Sequence, residues 1–314
     1  MSSKNINFLV STFYSFSPVN SPEILAKEIK SYCTSLKLRG SIILSHEGIN
    51  GTLAGYPQSI EKILDYFNKR EFHNLNSKFS ESTDMPFYRM KVKIKKEIIG
   101  MLNGPIDTQA ERGMPIDPKE WNDVMAQEDI ILIDTRNEYE TSIGTFQNAI
   151  IPPLKSFKDF KAYIDTELLQ YKDKKIAMFC TGGIRCEKAS YYMKQIGFSE
   201  VFQLNGGILK YLEEIPLNES KWTGECFVFD ERVTVNNKLE KGTFELCRGC
   251  KSPLSFDDKK LPGYEKDVSC SKCFKSTSDF KKNNFRERSR QIKLAKAKGI
   301  QSVYITGSIE EHIP

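Results

Sequence analysis

The stretch Cys180-Thr181-Gly182-Gly183-Ile184-Arg185-Cys186-Glu187-Lys188-Ala189-Ser190 follows directly on the apolar run Ile176-Ala177-Met178-Phe179. The run reads as a buried strand, and EKASYYMKQIG (187–197) reads as a helix. A cysteine leaves the strand, two glycines let the backbone curl, and a helix begins around Arg185. Backbone N–H groups of such a loop converge on one sulfur, and the helix N-terminus favours negative charge there. The thiol pKa falls and a thiolate or persulfide anion is favoured at Cys180. Thr181, Gly182, Gly183 and Ile184 form the candidate anion-binding turn. Arg185 adds a fixed positive charge and a fork for an anionic substrate. The gap from Cys180 to Arg185 is shorter than the one that cysteine phosphatases wrap around a phosphate, which suits a sulfur anion better. Cys186 carries two readings: a thiol that resolves an oxidised Cys180 by disulfide formation, or a small packing residue under the loop.

Working outward, IILID (130–134), YKDKKIAMFC (171–180) and VFQLNGGI (201–208) read as strands separated by helices, the first preceded by a helix over KEWNDVMAQ (119–127). Apolar strands alternating with helices imply a parallel α/β sheet covered on both faces, with reactive groups at the carboxyl ends of its strands. The first 100 residues read differently. NFLVSTFYSF (7–16) is a strand, and Ser21-Pro22-Glu23 caps a helix through ILAKEIKSYCTSLK (24–37). SIILSHEGINGTLAG (41–55) gives two strands around a Gly-Asn-Gly turn, SIEKILDYFNKR (59–70) a helix, and RMKVKIKKEII (89–99) a strand. That order is β-α-β-β-α-β, the ferredoxin-like or acylphosphatase-like arrangement. The Gly-, Pro- and Asp-rich segment 101–118 reads as a linker. The chain thus divides into 1–100, the linker 101–118, an α/β domain 119–218 and a Cys-rich basic module 219–314.

Charge is unevenly distributed. Residues 1–218 hold 27 basic and 27 acidic side chains, so the net +5 of the chain lies entirely in 219–314. Within that module KKNNFRERSRQIKLAKAK (281–298) has eight cations and one anion. Such a patch attracts a polyanion through counterion release, although a solvated helix face has the same composition. Just before it, Cys247-x-x-Cys250 and Cys270-x-x-Cys273 have the spacing of a structural zinc site, with disulfides or labile thiols as the alternatives. A metal knuckle supporting a cationic helix makes a nucleic-acid grip through Arg286, Arg288, Arg290, Lys293, Lys296 and Lys298. Arg89, Lys91, Lys93 and Lys95 alternate on a strand face that extends this basic surface or simply forms a solvated edge.

The composition, 39% hydrophobic and 28% charged over 314 residues, is that of a globular chain of two or three domains. No run approaches a membrane span and the N-terminus lacks a secretory pattern, so a cytoplasmic location is expected. His46, His73 and His312 are too scattered for a metal triad, and His46 reads as a structural histidine. No nucleotide fingerprint, phosphate loop or serine triad appears, so no flavin or nicotinamide site is expected.

SHEGINGTLAG (45–55), CTGGIRCEKAS (180–190) and the four-Cys basic segment occur together. The combination resembles the rhodanese-containing tRNA uridine hydroxylase family over essentially the whole chain. ILIDTRNEYETSIGTFQNAI (131–150) is similar to the Asp-x-Arg-x-x-x-Glu/Tyr segment of rhodanese domains, and LNGGILKYLEE (204–214) to their closing Gly-Gly turn. The resemblance implies a rhodanese domain behind an acylphosphatase-like one. It also implies oxygen-dependent hydroxylation of the wobble uridine, position 34, to 5-hydroxyuridine. Its substrate would be the anticodon region of tRNA, its co-substrate molecular oxygen, and its persulfide-bearing cysteine Cys180, with Arg185 in the matching loop. Zinc does not follow from the resemblance, and the electron donor is not legible. A sulfurtransferase using the same Cys180 and Arg185, and a tRNA-binding module with an idle thiol loop, are the competing readings.

Overall fold

The computed structural model describes residues 7–73 and 75–298. Its N-terminal part runs β1 (Phe8–Phe16), α1 (Pro22–Ser35), β2 (Arg39–Ser45), β3 (Gly48–Gly55), α2 (Pro57–Asn68), β4 (Asn76–Ser82) and β5 (Met90–Ile94), in one sheet of order β4-β1-β3-β2-β5. Helical spacing puts Leu25, Ala26, Ile29 and Cys33 of α1, and Ile60, Ile63 and Phe67 of α2, against Phe13, Ile42, Leu44, Ile49 and Leu53. Because side chains alternate along a strand, Thr12 and Tyr14 of β1 point to the opposite face of this sheet from Phe13. That face covers the reactive loop described below.

Three local expectations are corrected. The strand over 89–99 is a fifth strand, parallel to β2, and the fourth strand of the acylphosphatase-like set is β4, antiparallel to β1. Asn76–Ser82 is an edge strand whose one buried side chain is Lys78, so its sequence lacks the apolar alternation that marks a strand. The turn between β2 and β3 lies at His46-Glu47, closed by the Ser45–Gly48 pair, and Asn50 sits mid-strand opposite Ile43 and Tyr14. Ser21 occupies the N-cap of α1 but makes no side-chain capping bond; Pro22 sets the helix start.

The second part comprises β6 (Met114–Ile116), α3 (Pro118–Met125), β7 (Ile130–Asp134), α4 (Glu138–Thr141), β8 (Gly144–Phe146), α5 (Phe160–Tyr163), β9 (Lys175–Phe179), α6 (Ile184–Gln195), β10 (Glu200–Leu204), α7 (Gly207–Glu214) and β11 (Trp222–Gly224). Its sheet, β6-β10-β9-β7, is parallel throughout. Alternation along β9 sends Ile176 and Met178 to a core with Phe160, Ala189 and Met193, and Ala177 and Phe179 to a core with Trp121, Phe146 and Tyr211. Segment 101–118, expected as a linker, buries Met101 and Ile106 and supplies strand β6. β11 pairs with β8, and Trp222, Cys226, Val228 and Val235 extend the second core.

Short ribbons β12 (Cys226–Phe227) with β13 (Thr234–Val235), and β14 (Glu245–Leu246) with β15 (Pro253–Leu254), lead into helix α8 (Asp279–Ala297). Among the described residues no helix is long and apolar enough to cross a membrane.

Candidate active site

Cys180 stands at the carboxyl end of β9, where the chain turns into α6. Gly183 caps that helix at φ 98°, and a Cβ there would stand 3.0 Å from Tyr14 Oη. Its N–H donates to Cys180 Sγ at 3.1 Å. Under the loop lies the Asn-Gly-Gly turn that opens α7. A Cβ on Gly207 would meet the Cys180 carbonyl oxygen at 2.5 Å. The N–H groups of Ile208 and Leu209 donate to the carbonyls of Cys180 (3.0 Å) and Thr181 (3.1 Å). The two glycine motifs are thus roof and floor of one turn.

Burial pushes the Cys180 thiol up. A hydrogen bond from Cys186, the Arg185 charge, and the N–H groups of Cys186 and Arg185 outweigh it and bring the thiol down to about 6. Cys186 moves the opposite way: burial, then the neighbouring Cys180 sulfur, hold it well above an ordinary thiol. The proton of this pair therefore resides on Cys186, which also lies 3.6 Å from Thr135 Oγ1. Thr181 Oγ1 is buried with no hydrogen-bond partner among the described residues.

Arg185 departs from the expected open fork. Its two terminal nitrogens donate to the Glu140 carboxylate at 2.9 and 3.0 Å, and both side chains are buried. The Asp-x-Arg-x-x-x-Glu segment explains this. Asp134 holds Arg136 in a fully buried pair (2.9 and 2.6 Å), and Glu140, one turn on, reaches the loop. Arg185 acts on the sulfur as half of a neutral pair, not as a free anion clamp.

The thiol is closed over by the N-terminal sheet, leaving Cys180 1% exposed. Lys78 of β4 donates to the Gly182 carbonyl at 2.7 Å and to Asn76, and lies 4.8 Å from the Tyr14 ring centroid. Burial, opposed by the Cys180 and Glu187 charges, pushes the Lys78 ammonium down to about 7. Beside this cover is a cavity of about 400 Å³ lined by Tyr14, Asn76, Arg112 and Glu187, the last two forming an ion pair. No motif marks Lys78 or Tyr14. The one sequence signal is a lysine at the inward register of a strand that has no apolar alternation to mark it.

Lys188, two residues past Cys186, is fully buried between the halves. It donates to both Glu47 oxygens (2.9 and 3.0 Å), to Glu97 (2.5 Å) and to the Ile99 carbonyl (2.9 Å). Glu47 also accepts from the N–H groups of Ile98 (2.7 Å) and Ile106 (3.1 Å), and Glu97 from those of Met101, Leu102 and Asn103 (2.9–3.0 Å). Asn50 donates to the Ile98 carbonyl at 3.0 Å. Glu-Gly-Ile-Asn-Gly and Cys-Glu-Lys-Ala, far apart in sequence, are the two halves of one buried clamp. His46 is structural: its Nδ1 bonds the Val19 carbonyl at 2.9 Å.

The four C-terminal cysteines form a cluster able to hold a metal, their sulfurs all within 4.8 Å of one another. Three of the Sγ–Sγ separations, 3.6, 3.8 and 3.9 Å, match the edge of about 3.8 Å expected of a tetrahedron with 2.3 Å metal–sulfur bonds. The basic helix presents its charges unequally. Arg286 is paired with Glu265 (2.6 Å) and Arg290 with Glu287 (2.9 Å), whereas Lys293 and Lys298 are exposed. Arg288 faces a groove shared with the N-terminal sheet. The Lys296 side chain and His312 lie outside the described residues.

Residues 8–98 match the UPF0176 acylphosphatase like domain, and residues 117–214 match the Rhodanese-like domain. A curated protein of Mesorhizobium japonicum named tRNA uridine(34) hydroxylase is 45% identical over 92% of this chain and 94% of its own length. Proteins of the same name from Brucella anthropi and Teredinibacter turnerae are each 44% identical, over 94% and 93% of this chain and 97% and 92% of their own lengths. Shared at that level from the acylphosphatase-like sheet through the Cys-rich segment, this sequence belongs to the tRNA uridine(34) hydroxylase family.

Proposed function

We propose that this protein hydroxylates C5 of uridine 34 in tRNA, with molecular oxygen as co-substrate, and that Cys180 is the reacting group. The carrying observation is the geometry around the Cys180 sulfur, 3.1 Å from the Gly183 N–H and in the loop that holds the Arg185–Glu140 pair, an arrangement that favours the sulfur anion. A thiolate or persulfide of that kind adds to C6 of a pyrimidine, and the C–S bond makes C5 electron-rich towards oxygen; once C5 is hydroxylated, loss of its proton expels the sulfur from C6 and restores the C5=C6 bond and the free Cys180. One oxygen atom enters the ring and the other leaves as water, which takes two electrons and two protons from a donor outside the uridine. Thr181, Gly182, Gly183 and Ile184 form the turn that steadies the sulfur anion. The buried, unpartnered Thr181 hydroxyl is a group such a reactant would satisfy. Cys186, hydrogen-bonded to the Cys180 sulfur, stands within reach for the resolving role, in which it attacks as the thiolate after giving up its proton. Uridine 34 lies in an unpaired loop, so little stacking is lost when it enters a pocket. The four-cysteine cluster suits zinc in a structural role, tying the start of α8 to the rest of a segment with little core of its own.

The test is nucleoside mass spectrometry of tRNA from a strain lacking this gene, complemented with wild type or Cys180→Ser. 5-Hydroxyuridine and its derivatives should fall in the deletion strain and return only with wild type. A Cys180→Ser chain that restores them removes Cys180 from the reaction. A loss of thiolated nucleosides instead supports sulfur transfer.

A further inference from the structure

A groove of about 740 Å³ opens where all three parts of the chain meet. The edge of the N-terminal sheet supplies Tyr88, Arg89 and Lys91, the α/β part supplies Tyr139, and the Cys-rich part supplies Phe229, Lys251 and Arg288. Two properties of this groove stand out. The first is its aromatic surface. Phe229 is 56% and Tyr88 38% exposed, so two ring faces stand open to solvent in one groove. Phe229 is held edge-on by Phe227 at 5.2 Å, and its ring lies 5.6 Å from the Arg185 guanidinium, which joins the groove to the reactive loop. The second is its charge. Both acids lining the groove are already neutralised: Asp230 by Arg232 at 2.6 Å, and Glu231 by Arg248 at 2.7 Å and the Tyr88 hydroxyl at 3.0 Å. Arg89, Lys91 and Lys251 therefore leave the groove with an excess of positive charge.

We infer that this groove is the seat of the unpaired anticodon-loop nucleotides, with bases stacking on Phe229 and Tyr88 and phosphates meeting Arg89 and Lys91. Exposed rings interleaved with cations are the general grip for single-stranded nucleic acid, since every base has a π-face and every nucleotide a negative charge. A helical duplex offers phosphates but no open base faces, so the rings discriminate loop from stem. The inference rests on tRNA being the substrate, and it names the surface that delivers uridine 34 to the far side of Arg185.

The experiment is fluorescence anisotropy of the full-length protein with an anticodon stem-loop RNA carrying uridine at position 34, and with a blunt RNA duplex of equal length. Phe229→Ala should weaken stem-loop binding about tenfold, which is about 1.4 kcal/mol, while Phe229→Trp keeps it and duplex binding is unchanged. Arg89→Gln with Lys91→Gln should flatten the dependence of log affinity on log salt by about 1.4, at about 0.7 per phosphate contact to a single strand. Because a folding defect does not change a salt slope, that readout separates charge from structure. If wild type hydroxylates tRNA but these variants bind within twofold of it at an unchanged slope, the groove assignment is wrong and the hydroxylase reading stands. If duplex and stem-loop lose affinity equally with Phe229→Ala, stacking is refuted. Failure of wild type both to bind and to hydroxylate would remove the substrate itself.

Discussion

Replacing Lys188 by methionine should unlatch the two halves of the molecule. The ammonium is fully buried and has four acceptors: two Glu47 oxygens, Glu97 and the Ile99 carbonyl. Methionine keeps most of the stem's packing, so the change isolates the charge. Glu47 and Glu97 would retain five backbone N–H donors between them but would face each other without a cation. Each carboxylate loses a charge-assisted bond of about 1.5–3 kcal/mol. Removing one member of a buried ion pair costs about 3–5 kcal/mol, and the two figures agree. Against a typical domain stability of about 5–15 kcal/mol, that is a large share. Urea unfolding measures it. Both tryptophans, Trp121 and Trp222, belong to the α/β core, so fluorescence reports that half while far-UV circular dichroism reports both. The midpoint should drop by about 2 M at m-values of about 1–3 kcal/mol per M. Glu47→Gln introduced together with Lys188→Met should recover part of the loss, since it removes one of the stranded charges. The acid side has a definite sign. Burial raises the Glu97 carboxyl, but Lys188 and the N–H groups of Leu102 and Met101 hold it below its ordinary 4.5. Its contribution is fully present above pH 4.5 and disappears as pH falls through the lower folded value. Lys188→Met should therefore lose its disadvantage relative to wild type in strong acid. A destabilisation under about 1 kcal/mol at neutral pH would refute the clamp.

Three further outcomes are expected. The thiolate absorbance lost in Cys180→Ser should titrate in wild type around pH 6, rising with pH, and Cys186→Ala should move that midpoint up towards the ordinary 9.0 because a hydrogen-bond donor to the sulfur is gone; an unmoved midpoint would remove Cys186 from the charge network. Lys78→Met should raise the same midpoint, because the ammonium is charged below about pH 7, where the thiol titrates, and favours the sulfur anion. An unmoved midpoint would mean that Lys78 works by packing alone. Purified protein should carry about one equivalent of zinc by mass spectrometry, retained in Cys180→Ser and lost in Cys247→Ser or Cys270→Ser; chains that reject zinc after reduction and reconstitution would leave the cluster without a metal.

The features readable from the linear chain are those whose physics is local. A strand that ends in Cys180, two glycines and a helix start define a sulfur-binding turn because backbone geometry over a few residues makes one. The pairs Cys247/Cys250 and Cys270/Cys273 announce a four-thiol cluster because each knuckle is only four residues long. Helical periodicity in 24–37 and 59–70 predicts the buried faces of α1 and α2. Tertiary structure decided what surrounds these pieces. Whether Arg185 is a free fork or a paired one depends on Glu140, whose carboxylate arrives from helix α4. Strand β4 is polar because its buried face meets a reactive loop instead of a core, so hydrophobic alternation could not reveal Lys78. The partner of Lys188 stands 141 positions away at Glu47, and a buried ammonium is tolerable only when folding brings those carboxylates to it. The groove that joins Tyr88, Tyr139 and Arg288 exists only after three separate parts of the chain have packed. Local backbone preference is written in neighbouring residues, whereas the pairing of buried charges and the shape between domains depend on distances that only the folded chain creates.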